Sequence, residues 1–241
     1  RRIHLTSAGD KLARQATQMF ADLAETARQI SGQPDLKFVT VKLGRYFGAK
    51  WLSPRLRDFW REHPGIDLRL HHSVNELPDD PPDVDLAVLW GDGNWAMPVV
   101  EPLLSVNSVA LCAPGMKKMA KAFLRSPKRT NRMLLHYRDH SGWQEWFASV
   151  GLAPGLAAQG QIFDDANVVV EAAAAGQGIA LGYLPISQVE LDLGRLALAH
   201  PHHCTCRNGY YLVYRRDAIA RPSVAVFHDW LHQQATQSRL V

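Results

Sequence analysis

Apolar positions recur along this chain in two alternating rhythms. The first stretch places them at Leu12, Ala16, Met19, Leu23 and Ile30, with Ala27 beside them, in steps of four and three. That spacing is a heptad-like seam, narrower than the face a core helix normally buries. Thr6 and Ser7 suit an N-cap, and Ser7 with Asp10 fits a capping box. SGQPD at 31–35 then breaks the helix and reads as a linker. Packing on its own domain is one reading of this helix; the narrow seam favours pairing with another chain.

Beyond the linker, short apolar strands alternate with helical segments. FVTVKL, IDLRLHH, VDLAVLW, PLLSVNSVALCAP, MLLHY, GQIF, GIALGYL and GYYLVYRR read as strands. RYFGAKWLSPRLRDFWREH reads as a helix with Phe47, Trp51, Leu52, Leu56 and Phe59 on one side and Pro54 as a start or kink. WQEWFASVGL and NVVVEAAAA are helical, the second closed by Gly176 as a C′ residue. The last helix has Pro222 near its first turn and turns Val224, Phe227, Trp230 and Leu231 inward. This alternation predicts an α/β protein with parallel sheets and ligands at the carboxyl ends of the strands.

Composition narrows the class. An apolar fraction of 46% and a charged fraction of 21% over 241 residues describe a globular chain able to bury a core, in one large domain or two small ones. A net charge of +4 permits an anionic partner without demanding one. Three cysteines, Cys112, Cys204 and Cys206, are too few for a disulfide scaffold and suit a reducing compartment. The arginines at the N-terminus are not followed by an apolar core, so no signal peptide is expected. The most apolar region, VVVEAAAAGQGIALGYLPI, is interrupted by Glu171, Gln177 and glycines, and a membrane span is not expected. The expectation is a cytoplasmic protein.

Candidate chemistry is sparse. The glycines Gly176, Gly178 and Gly182 follow a helix and enter a strand, the wrong order for a phosphate-cradling loop. His200, His202, His203, Cys204 and Cys206 supply soft ligands within seven residues, but no second pair has matching spacing. A turn between strands is the simpler reading there, so no metal and no cofactor are expected. Lys117, Lys118, Lys121, Arg125, Lys128, Arg129 and Arg132 form a basic run read as a solvated face. Asp164-Asp165 stands where a helix opens, which is N-cap chemistry. No catalytic residue is assigned and an enzyme is not expected.

The order of several short motifs goes further. Leu5-Thr6-Ser7-Ala8-Gly9-Asp10-Lys11-Leu12 is similar to the opening of the linker helix in LysR-type bacterial transcriptional regulators. Trp51-Leu52-Ser53-Pro54-Arg55-Leu56, Phe59, His63-Pro64-Gly65-Ile66 and Val84-Asp85-Leu86-Ala87-Val88 resemble the start of that family's regulatory domain. Gly91-Asp92-Gly93-Asn94-Trp95, the run from Ala173 to Gly182, Gly194-Arg195-Leu196 and Trp230-Leu231 continue the resemblance across essentially the whole chain. The GDGNW segment and Trp51 look most like the branch with the glycine-cleavage and β-lactamase regulators.

The resemblance implies a two-lobed effector domain like the type 2 periplasmic binding proteins, preceded by a dimerising linker helix. Residues 1–5 would be the remnant of a winged-helix wing, 6–31 the linker helix and 32–35 a linker. Residues 36–108 with 210–241 would form lobe one and 109–209 lobe two, joined by crossovers at Asn107–Pro114 and Gly209–Arg215. A small effector would sit between the lobes, against Gly44, Arg45, Tyr46 and Ser73 of lobe one and Cys112, His136, Phe163 and Asp164 of lobe two. Arg1 and Arg2 would lie near DNA, and Leu12, Ala16, Met19, Leu23 and Ile30 would pair subunits into a homodimer or homotetramer. DNA contact would come through an N-terminal winged helix-turn-helix outside this sequence. Many relatives carry a serine or threonine in the loop after the first strand, where this chain has Gly44-Arg45-Tyr46-Phe47. Three readings follow: Arg45 supplies a cation to an anionic effector, Tyr46 narrows the cleft, or Arg45 faces solvent. A solute-binding receptor or an enzyme on the same scaffold is the alternative function.

Overall fold

The computed structural model describes residues 37–72, 84–127 and 132–238, together with Thr6, Ala8, Gly9, Leu12, Ala13, Gln15, Ala16, Met19, Phe20 and Leu23. Eight strands, β1 (Lys37–Leu43), β2 (Ile66–His72), β3 (Leu86–Gly91), β4 (Val99–Cys112), β5 (Leu134–Tyr137), β6 (Gln161–Phe163), β7 (Ile179–Leu184) and β8 (Ala197–Tyr214), form one sheet in the order β2-β1-β3-β8-β4-β7-β5-β6. Among the described residues no helix is long and apolar enough to cross a membrane.

The sheet is mixed, which corrects the expectation of parallel sheets. β1 runs parallel to β2 and β3, and β5 parallel to β6 and β7. Between these trios lie β4 and β8, antiparallel to each other and to their neighbours β7 and β3. A chain that crosses from one lobe to the other and returns must run in both directions, so its two crossing strands pair antiparallel. They are longer than the expected crossover segments. β8 begins at Ala197, so His200 to Cys206 is strand and the expected turn is absent. The reason is tertiary: β4 supplies pairing partners as far as Cys112 opposite Ala197, with register shifts that include one at Pro102/Leu104. Alternation along β8 leaves His200, His202, Cys204 and Cys206 half-buried on one side and His203 exposed on the other.

Lobe one is built on the apolar side chains read from the sequence. Phe47, Trp51, Leu52, Leu56 and Phe59 are all buried. Their helical run is assembled from Arg45–Phe47, a wide turn at Gly48–Leu52, a tight turn at Ser53–Arg55 and the helix Leu56–Glu62. Pro54, which has no N–H to donate, stands in the tight turn where the regular ladder is interrupted. The Pro222–Ser238 helix buries Val224, Phe227, Trp230 and Leu231, and Phe59 meets Phe227 and Trp230 edge-on at 5.1 Å each. Asp85, just before β3, accepts the Thr40 N–H at 2.8 Å and pairs with Arg221 at the foot of the last helix, whose guanidinium also donates to Phe38 O at 2.7 Å. One carboxylate thereby joins two strands to a helix.

Lobe two gathers Phe123, Leu124, Trp143, Trp146, Phe147 and Cys112 into its own core. The Ala166–Ala174 helix is capped by Asp165, whose carboxylate accepts the Asn167 N–H at 2.8 Å. It ends at Gly176 with φ of 78°, a left-handed position that favours glycine. A short helix at Gln188–Asp192 was not legible in the hydrophobic pattern. In the basic run Lys117, Lys118, Lys121 and Arg125 are exposed on the Lys117–Arg125 helix, and Ala120, Phe123 and Leu124 face inward.

At the chain's start, Ala8, Gly9, Leu12, Ala13, Gln15, Ala16, Met19, Phe20 and Leu23 are helical, and the Gly9 N–H donates to Thr6 Oγ1 at 3.1 Å as an N-cap should. Leu12, Met19 and Leu23 are 68%, 72% and 64% exposed. Arg1, Arg2, Ile30 and Ser73 lie outside the described residues.

Candidate functional site

The carboxyl ends of the parallel strands meet at a cleft of about 190 Å³ between the two lobes. β1 contributes Lys42 and Leu43, the turn after it Gly44, Arg45, Tyr46 and Phe47, and β3 Val88, Leu89 and Trp90. From the other lobe come Tyr137 at the end of β5 and Arg138 after it, Asp164, Asp165 and Ala166 after β6, and Tyr183 of β7, while Tyr210 stands on the crossing strand β8. Ligands bind at this end of α/β sheets because loops converge there on a rigid scaffold.

Aromatic rings form one wall. Trp90 lies 5.3 Å from Tyr183 and 4.9 Å from Tyr210, and Tyr210 lies 4.8 Å from Phe47. Burial pushes the Tyr46 phenol up to about 12, with the Ser187 hydrogen bond working against it, so Tyr46 is neutral at ordinary pH. Charges stand at the mouth: Arg45 and Arg138 against Asp164 and Asp165. Arg45 is 59% exposed and reaches across to Asp165 Oδ2 at 3.5 Å, a loose pair that a ligand can enter. Burial alone would raise the Asp165 carboxyl, but the N–H groups of Asn167 and the Arg45 guanidinium hold it below the usual carboxylate range. Arg138 has φ of 64°, the one non-glycine left-handed residue among those described, and its N–H donates to Phe163 O at 2.7 Å. Such a conformation costs free energy in a non-glycine residue and is held here by that bond to the end of β6.

Behind the mouth, side chains from the Arg45–Leu52 run tie the lobes together. Tyr46 Oη and Ser187 Oγ lie 2.7 Å apart. Lys50 donates to Glu190 at 2.7 Å and to Glu171 at 3.3 Å, and Arg195 pairs with both carboxylates. Glu190 is 2% exposed, so this is a nearly buried charge with two cationic partners.

Of the residues expected to contact an effector, Gly44, Arg45, Tyr46 and Asp164 line the cleft. Cys112, His136 and Phe163 do not: Cys112 is buried in the core around Trp143 and Phe147, and His136 is buried on β5 with its ring against Gln159. Gly44 offers no side-chain cap to the helical turn that follows, in keeping with the missing hydroxyl. Sequence reading missed Arg138, Trp90, Tyr183 and Tyr210 as lining residues. Their position at strand ends was the available signal, but a strand end does not say which way a side chain points.

His136 donates Nε2–H to Gln159 O at 2.9 Å, leaving Nδ1 buried without a hydrogen-bond partner. Burial lowers its pKa below 6.5, partly offset by the bond to Gln159 and reinforced by His140. The unfolded chain therefore takes up this proton at higher pH than the folded chain does. His136 contributes stability above about pH 6.5 that is lost as pH falls toward its lowered folded value. The melting temperature should fall between pH 7 and pH 5 less steeply in His136→Gln than in the parent chain. Equal slopes would remove His136 from the account.

With this geometry in hand, comparison with known proteins is direct. Residues 39–236 match the family described as the LysR substrate binding domain. The glycine cleavage system transcriptional activator of Escherichia coli (strain K12) is 29% identical over 235 residues, 98% of this chain and 77% of that protein. The HTH-type transcriptional activator AmpR of Rhodobacter capsulatus is 31% identical over 219 residues, 90% of this chain and 74% of that protein. The effector domain of the transcriptional regulator AmpR of Pseudomonas aeruginosa superposes with a TM-score of 0.70 at 26% identity, covering 84% of this chain and 98% of that one. CrgA of Neisseria meningitidis, a LysR-type regulator, shares the fold at a TM-score of 0.68 and 16% identity, over 98% of this chain and 81% of that one. The two-lobed sheet, the cleft at its strand ends and the match over 39–236 assign this chain to the LysR substrate-binding domain family, as the effector-binding domain of a LysR-type transcriptional regulator.

Proposed function

We propose that the cleft binds a small molecule with an anionic group, held by Arg45 and Arg138, with its less polar part against Trp90, Tyr183 and Tyr210. One observation carries this reading: Arg45 and Asp165 face each other across a cleft that both lobes line. An anion entering there exchanges the exposed Arg45–Asp165 pair for a shielded one. Closure around it biases one lobe arrangement over another, which is what a switch requires. The cleft's volume of about 190 Å³ suits a molecule smaller than a typical drug.

We place lobe one at 36–108 with 210–241 and lobe two at 109–209. The exposed seam of Leu12, Met19 and Leu23 is read as the pairing face of a linker helix in a homo-oligomer, and DNA contact as the work of a winged helix-turn-helix preceding it. The family match supports a non-enzymatic regulator over a transport receptor or an enzyme on the same scaffold. Cytoplasmic action follows from that role.

A thermal-shift screen of small organic acids against the chain tests the cleft, because a ligand of the folded state raises its melting point by mass action. Arg138→Ala and Arg45→Ala should each weaken a hit at least about tenfold, or ~1.4 kcal/mol. An acid that binds both variants as well as the parent would place the anion site elsewhere.

A further inference from the structure

The face of lobe one formed by the start of β4 and the last helix carries a second constellation, none of whose members lines the cleft. His228 and His232 stand one turn apart on the Pro222–Ser238 helix and share a face. Glu101 of β4 points between them: its Oε2 lies 3.0 Å from His228 Nε2 and 3.2 Å from His232 Nε2. Among the described residues this is the group of three ligand-type side chains whose donor atoms all fall within 4.8 Å of one another. A tetrahedral zinc ion with bonds of about 2.0–2.1 Å holds its ligand atoms about 3.3 Å apart, so the spacing is already near what a metal needs.

The surroundings orient the trio independently. Tyr214 Oη donates to Glu101 Oε1 at 2.8 Å, which turns the other oxygen toward the imidazoles. His228 Nδ1 lies 2.8 Å from Asp229 Oδ1, a contact that fixes the orientation of the ring. Nε2 of both rings faces the same Glu101 oxygen, so the three atoms surround a position that a metal ion can take. A carboxylate behind a histidine behind a ligand position is the arrangement that fixes the tautomer of metal-binding histidines. All three side chains are half-buried, open enough for an ion to enter.

We propose that Glu101, His228 and His232 bind a divalent first-row transition-metal ion of the zinc class, with Tyr214 and Asp229 positioning the ligands and one coordination position left to water. Imidazole with carboxylate suits zinc, nickel and cobalt, and excludes the hard ions calcium and magnesium. The ion pins the last helix to β4, one of the two strands that cross between the lobes.

The test is calorimetric titration of chelator-treated chain, prepared without a histidine tag, with zinc chloride, together with the visible spectrum of the cobalt-loaded chain. One ion per chain is expected, with a rise in melting temperature. His232→Ala and, as a second variant, Glu101→Gln should abolish uptake, and Asp229→Ala should weaken it about 10–100-fold. Melting of the metal-free variants is measured alongside to show that they fold. A Cys204→Ser/Cys206→Ser variant, which removes the thiols of β8, should bind like the parent. No uptake at micromolar zinc, undiminished uptake by His232→Ala, or loss confined to the cysteine variant would each overturn the assignment.

Discussion

Trp51→Ala is expected to destabilise the chain by about 3–5 kcal/mol, the range for removing a buried tryptophan from a packed core. Trp51 is fully buried, stacks on Phe47 with ring centroids 4.8 Å apart, and lies under the Arg55 guanidinium at 4.7 Å. Its indole N–H donates to Ser238 Oγ at 3.1 Å, which joins the first helical run of lobe one to the end of the last helix. Alanine leaves a cavity between these elements and removes the donor together with the ring. Urea unfolding should show a lower midpoint with an unchanged slope, because the surface exposed on unfolding stays nearly the same. Trp51→Phe, which keeps most of the apolar volume but loses the donor and part of the ring, should recover most of the deficit. A midpoint within error of the parent for Trp51→Ala would show that the site collapses without cost.

Glu190→Ala is the second large effect, expected at about 3 kcal/mol. Glu190 is 2% exposed and lies against Lys50, itself 13% exposed, and Arg195. Removing the carboxylate leaves the Lys50 ammonium largely out of water, with the half-exposed Glu171 at 3.3 Å to compensate it. Breaking such a pair from one side is costly because the remaining charge is desolvated and poorly compensated. With the lobes placed as proposed, the same change unties them, since Lys50 falls in lobe one and Glu190 in lobe two. The variant should therefore show both a lower unfolding midpoint and a larger radius of gyration by solution scattering. Its affinity for an effector should drop in proportion to the population of the binding-competent arrangement. Unchanged scattering with a lower midpoint would mean that the pair adds stability without holding the lobes together. By contrast Arg45–Asp165, at 59% and 26% exposure, is screened by solvent and contributes little to stability.

Much of the fold was legible because burial obeys simple periods. The inward faces of the run containing Trp51 and Phe59 and of the last helix follow from the 3.6-residue repeat, and every apolar residue assigned to them is buried. Gly176 and Asp165 were legible for a local reason: a left-handed C′ position and an N-cap carboxylate are set by neighbours in sequence. The segment His200–Cys206 was misread because polar residues on a long strand look like a turn until a partner strand is known. β4 supplied that partner.

Order along the chain encodes the alternating elements, the apolar faces and, through motifs running from Leu5 to Leu231, the LysR family. These depend on local periodicity and on residue types at fixed spacing. The tertiary structure decided what is assembled from distant parts of the chain. It set the antiparallel crossing of β4 and β8, brought Arg138 and Arg45 to one cleft, joined Lys50 to Glu190, and placed Glu101 between two histidines of the last helix. Side chains this far apart in sequence meet only where packing directs them, and neither charge nor periodicity along the chain encodes that direction.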